Sequence, residues 1–167
     1  PNPVTAVLLD FRGYDTLLEL HVLLLAVLGA WSLGTRAVPR EVLPVNEILL
    51  TLIRVLTPLL VLTAGYLVWL GTRTPGGAFQ GGALLAGAGV LLTLADRRPM
   101  EAGPTWLLRV GLALGPAFFL AVGVGALAAG QPFLLSPHAR APGLLLLLEV
   151  LAAVSIGLAL TALFAGG

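Results

Sequence analysis

The chain has 167 residues, 58% of them hydrophobic and 10% charged, with a formal net charge of +1 and no cysteine. Soluble domains carry roughly 25% charged residues, so a water-soluble globule is excluded: a sphere this small cannot hide so much apolar side chain. All the basic residues are Arg, spread along the chain, so there is no basic field of the kind that recruits nucleic acid. Without cysteine there are no disulfides, thiolate metal sites or Cys nucleophile.

The apolar runs predict five helices in chain order, at about residues 17–35, 47–70, 78–95, 106–129 and 143–165. Each is long enough to cross a hydrocarbon core of about 30 Å, which takes about 20 helical residues. Backbone amides inside a bilayer must pair internally, and Leu-rich runs without dyad alternation exclude a barrel. The fold class is therefore all-α, an integral membrane bundle. No signal-peptide pattern occupies Pro1–Asp10, and the sole methionine is Met100, so residue 1 reads as an internal cut or a processed end of a longer chain.

The punctuation lies between the runs, in TRAVPREVLP (35–44), GTRTPGG (71–77), DRRPMEAGP (96–104) and GQPFLLSPHARAPG (130–143), where Pro and Gly end helices. Arg36, Arg40, Arg54, Arg97, Arg98 and Arg109 fall on one side of the membrane and Arg12, Arg73 and Arg140 on the other. The positive-inside rule places the first group in the cytoplasm, with the N-terminal segment outside and the C-terminus inside.

Ionisable residues within spans are functional candidates, because a charge at mid-bilayer costs about 2.5 kcal/mol or more. Glu19 and His21 open the first predicted helix, Arg54 lies about two turns into the second, and Glu149 about two turns into the fifth, within LLLLLEV. A carboxyl surrounded by leucine should hold its proton unless a cation sits beside it, and such a group can exchange H+ or bind Na+. The structural alternative is an ion pair that holds helices or subunits together. Arg54 can pair with Glu47, seven residues earlier and nearly on the same face, or with another subunit. His21 is either a proton relay or an interfacial side chain.

In DFRGYDTLLE (10–19), Asp15 or Thr16 is placed as an N-cap, with Glu19 completing a capping box. That reading leaves Asp10 and Arg12 unexplained. Gly and Ala crowd two helices, at Gly76, Gly77, Gly81, Gly82, Ala86, Gly87 and Gly89, and at Gly111, Gly115, Gly123 and Gly125. Small residues let membrane helices approach closely; the sharper alternative is a thin wall beside an ion path. TPGGAFQGG lacks the GK[ST] ending of a phosphate loop. No catalytic triad, metal cluster or cofactor motif is visible.

VTAVLLDFRGYDTLLE resembles a segment, of the type VNVILVDFRGFDTLGE, at the C-terminal end of the A subunit of Mrp-type multisubunit Na+/H+ antiporters and in the E-like subunit of related membrane-bound hydrogenases. The match covers residues 1–37 and is carried by Asp10, Arg12, Gly13, Asp15, Thr16 and Glu19. GTRTPGGAFQGGALLAG resembles the GHNxPGGGFIGGL motif of the B subunit, the MnhB domain, through Pro75, Gly76, Gly77, Phe79, Gly81 and Gly82. Glu149 looks like the acidic residue of that family's last helix. Thr72-Arg73 replaces the motif's His-Asn, Ala78 its third Gly, and Ala152 or a neighbour the Gly expected after the acid.

The resemblance implies two units, an A-tail-like segment with one transmembrane helix at 1–37 and a four-helix MnhB-like domain at 45–167. It implies an accessory subunit of a monovalent cation/proton antiporter in a prokaryotic cell membrane, a transporter subunit rather than an enzyme, without cofactor. Other membrane subunits and lipid would be its partners and Na+ and H+ the moved ions. Glu19, Glu149, Asp15 and His21 are the ion-path candidates and Arg54 the ion-pair candidate. The alternative is a structural subunit of a hydrogenase-like or other redox complex carrying the same module. An isolated carrier is disfavoured, because five helices show no inverted repeat.

Overall fold

The computed structural model describes residues 3–33, 47–71, 77–95, 105–130 and 142–166, with side chains in the first helix described from Gly13 onward. The described residues form five helices: α1 (Pro3–Ser32), α2 (Glu47–Gly71), α3 (Ala78–Ala95), α4 (Trp106–Ala128) and α5 (Pro142–Gly166). All five are long and apolar enough to cross a membrane, so the chain is an integral membrane protein.

Four helices lie where hydropathy puts them. The first differs: it begins at Pro3 rather than near residue 17, and runs unbroken through DFRGYDTLLE. Asp15 and Thr16 are therefore interior helical residues and not N-caps, so the capping-box reading is corrected. Proline is favoured at a helix's first position, VTAVLL needs no break, and one interior glycine, Gly13, costs only about 1 kcal/mol. At the other end α1 stops at Ser32, where the Leu33 N–H donates to the Gly29 carbonyl at 3.1 Å. Arg36, Arg40, Arg73, Arg97, Arg98 and Arg140, with most of the predicted connections, lie outside the described residues.

Helix α5 is the hub. It packs along α3 and α4, on α1, and in places on α2, while α2 otherwise packs on α3. Ala152, Ala153 and Ile156 of α5 are at most 1% exposed, the most enclosed stretch of the bundle. Contacts fix the directions. Gly82 faces Ala153 and Ile156, and Gly89 faces Thr161, so α3 and α5 run parallel. Gly111 faces Leu158 and Gly115 faces Ser155 and Leu151, so α4 runs against them. Tyr14, Leu17 and Leu20 cluster with Leu148 and Ala152, and Val27 with Ala159 and Ala162, so α1 is parallel to α5. This is the alternation expected of five successive crossings.

The polar groups in these apolar helices are mostly satisfied locally. Thr51, Thr93 and Thr161 hydroxyls donate to the carbonyls four residues earlier, Glu47, Gly89 and Gly157, at 2.7–2.9 Å, a back-bond that costs no external partner. Thr105 caps α4, its hydroxyl accepting from the Leu108 N–H at 3.3 Å. Two helices contain an interior proline, Pro58 in α2 and Pro116 in α4. Each lacks the N–H that its i−4 carbonyl, Arg54 and Leu112 respectively, would otherwise receive. For Leu112 a substitute is present: the buried Ser155 hydroxyl of α5 donates to it at 2.7 Å. Re-satisfaction by a neighbouring helix is how membrane helices tolerate proline.

Candidate functional site

The site begins with the chain turn before α3. Gly77 has φ +108°, a conformation open to glycine and rarely to other residues. That turn aims the first amides of α3 toward α5. The Ala78 N–H donates to Oε2 of Glu149 at 2.5 Å. Glu149 is half-buried, beside the buried Leu148 and a turn from the fully enclosed Ala152. The chemistry of this pairing is simple: the N-terminal amides of a helix carry partial positive charge, and a carboxylate is the group they favour most. A carboxylate two turns into an apolar helix is thereby solvated in part by α3's own backbone. Sequence reading singled out Glu149 and the glycine motif separately; the structure brings them together.

The rest of the motif makes this possible by closeness. A Cβ on Gly77 would strike the Glu149 carboxylate, and one on Gly82 would sit 2.6 Å from Ile156 Cγ2 and 3.0 Å from the Ala153 carbonyl oxygen. Gly81, Gly82 and Gly89 of α3 thus stand in close contact with α5 or α2. Phe79 is exposed, and Pro75 and Gly76 lie outside the described residues.

The acids of α1 reach the same end of the bundle. Glu19 adjoins Leu20, which shares a core cluster with Leu148 and lines a crevice with Ser155 and Ile156, so Glu19 stands further along the bundle than Glu149 on two parallel helices. Glu19 is half-buried and Asp15, one turn earlier, is exposed. His21, half-buried, is anchored: its Nδ1 lies 2.7 Å from the Leu17 carbonyl oxygen, so Nδ1–H donates and leaves Nε2 free to accept in the neutral ring. Gly13 and Thr16 are partly buried, whereas the side chains of Asp10 and Arg12 lie outside the described residues. Between α1, α4 and α5 the crevice lined by Leu20, Leu24, Leu112, Ser155 and Ile156 has no room for a water molecule. Among the described residues no group of three His, Asp or Glu side chains could hold a metal ion.

Arg54 is exposed on α2, and among the described residues it forms no ion pair; Glu47 does not reach it. Sequence reasoning missed two functional partners. Ala78, noted only as a departure from the glycine motif, supplies the amide for Glu149. Ser155 supplies the hydroxyl for Leu112, and Pro116 was the available signal, since it announces an orphaned carbonyl four residues earlier.

Five apolar crossings gathered around α5, with a carboxylate seated on a helix N-terminus inside the bundle, define a polytopic membrane protein. A family described as a domain related to the MnhB subunit of Na+/H+ antiporter matches residues 48–166, and the chain belongs to that family. Among curated proteins it is similar to an uncharacterized protein of Methanocaldococcus jannaschii, 34% identical over 156 residues, which cover 80% of this chain and 59% of that protein. The chain therefore spans less than two thirds of that relative's length. Among solved structures it is similar, with a TM-score of 0.74 and 28% identity, to a chain of the membrane-bound sulfane sulfur reductase, an archaeal respiratory membrane complex; the match covers 99% of this chain and 77% of that one.

Proposed function

We propose that the chain is an accessory subunit of a multisubunit monovalent cation/proton antiporter in a prokaryotic cell membrane, contributing to or sealing the ion path. On this reading 1–37 is an A-tail-like segment and 45–167 an MnhB-like domain. The observation that carries it is the contact between Glu149 and the Ala78 amide at the start of α3. A helix N-terminus can hold a carboxylate charged where bare lipid would not, and a carboxylate held so is a station that H+ or Na+ can occupy in turn. Glu19, on the parallel helix α1, is the second candidate station, with Asp15 one turn before it and His21 two residues after it.

The closed crevice between α1, α4 and α5 and the close α3–α5 contact favour a path at the boundary with another subunit, not through the middle of this bundle. The test is Glu149→Gln in membrane vesicles carrying the whole complex. Loss of Na+-driven proton movement with normal assembly supports the reading; a complex that falls apart assigns Glu149 a structural role; no change in either removes it from both.

A second reading is favoured by one observation, the likeness over 99% of the chain to a subunit of a respiratory complex. The same module would then serve a redox-driven machine, with identical local chemistry and different partners. Redox subunits encoded beside this gene would decide for it, and antiporter subunits alone would decide against.

A further inference from the structure

Helix α2 leaves most of its surface uncovered in the bundle. It turns Ile53, Ala64, Val68 and Gly71 inward, and Thr51, Arg54, Pro58, Val61, Leu62 and Gly65 outward, all exposed. These six share one face by helical spacing. Within it Gly65 has open space beside it, with nothing within 4 Å of the place where a Cβ would stand. Arg54 lies seven residues, or about 10 Å, past the start of the helix, amid apolar surface and without an ion pair among the described residues. Pro58 adds a second demand at the same level, because it withholds the N–H that the Arg54 carbonyl would receive.

From this we infer that the Arg54 face of α2 is a docking surface for a transmembrane helix of a neighbouring subunit, one that presents an Asp or Glu at the level of Arg54. A guanidinium on an apolar face seeks a carboxylate, with which it pairs in two parallel hydrogen bonds. Polar groups on helices that meet in lipid mark contacts between protein segments. The occupant is a helix and not a lipid headgroup, because the guanidinium stands about 10 Å from the start of α2 amid apolar side chains and the same face runs on to the open flank of Gly65, which a second backbone can use and a headgroup cannot. The open flank of Gly65, two to three turns further on, lets a second backbone come close, as small residues do between membrane helices. The inference rests on the chain being one subunit of a larger complex.

The experiment is photo-crosslinking in the intact membrane complex, with a photoreactive residue at Leu62 and, separately, at Val61, leaving Arg54 in place. The expected product is a cross-link to a transmembrane peptide of one neighbouring subunit that carries an Asp or Glu within a turn of the level of Arg54. Arg54→Glu should then lower recovery of that neighbour several-fold, and exchanging its acid for Arg in the same background should restore it. Cross-links to lipid alone, to a helix without an acid, or unchanged recovery with Arg54→Glu would overturn the inference. Because the cross-link is read in a chain with native Arg54, it is decided even if Arg54→Glu fails to fold. Purification of the chain without any other subunit would remove the proposed function as well, whereas neighbours that never cross-link to α2 would remove this inference alone.

Discussion

Ser155 on α5 donates its hydroxyl to the carbonyl of Leu112 on α4 at 2.7 Å, and Leu112 is the carbonyl that Pro116 leaves without its helical donor. One side chain thus repairs a defect that the sequence of another helix creates, and in doing so fixes how α4 sits on α5. Hydrogen bonds between membrane helices average about 0.6 kcal/mol and reach about 1.7. Ser155 is 3% exposed, so its loss leaves a buried acceptor, the costly case. Ser155→Ala should lower the thermal midpoint in detergent, and Pro116→Ala should shrink that loss, because an alanine in place of the proline supplies the missing N–H. A double-mutant cycle without coupling between the two positions would contradict this pairing.

Gly77→Ala is expected to disturb α3 and Glu149 together. The added Cβ meets both the left-handed backbone, φ +108°, and the Glu149 carboxylate. Strain of this kind costs on the order of 1–3 kcal/mol. The variant should be less stable in detergent and should share whatever functional loss Glu149→Ala shows. Wild-type behaviour in both measurements would mean that the turn into α3 does not position the carboxylate.

At Gly82 the conflict is purely one of space. Gly82→Ala drives a methyl into Ile156, which is 0% exposed, and overpacking of this sort costs about 1–3 kcal/mol. In an Ile156→Ala background Gly82→Ala should cost less than in the wild-type chain, though still something, because the Ala153 carbonyl oxygen stands 3.0 Å from the new Cβ. An equal cost in both backgrounds would contradict the close α3–α5 approach.

The absence of cysteine makes orientation directly testable. Leu33, at the end of α1 and 86% exposed, and Gly130, just past α4, are at opposite ends of the bundle. With the Arg-rich side in the cytoplasm, Leu33→Cys should react with a membrane-impermeant thiol reagent only after the cells are opened, and Gly130→Cys in intact cells. The reverse pattern would invert the topology.

The five crossings were legible in the sequence because hydropathy is a sum over a window and needs no knowledge of what a helix touches. The start of α1 was not, since Asp15, Thr16 and Glu19 satisfy a local capping pattern that the longer apolar run overrides. The candidate site was half legible. Glu149 stood out as a carboxylate among leucines, yet its contact with Ala78 joins residues 71 apart in the chain, and no local spacing encodes that. Ser155 and Leu112, 43 apart, are similar, except that Pro116 states the need for a donor without naming it.

On the proposed function Glu149 acts through its charge and not merely as an acceptor that starts α3. Gln keeps an oxygen for the Ala78 N–H and discards the charge, whereas Ala discards both. The direct measurement compares Glu149→Gln and Glu149→Ala for Na+-dependent proton movement and subunit content in vesicles carrying the complete complex. The Gln complex should assemble normally and fail to couple Na+ to H+, with the Ala complex impaired in assembly as well. A Gln complex that couples the two ions at the wild-type rate would contradict the proposed function.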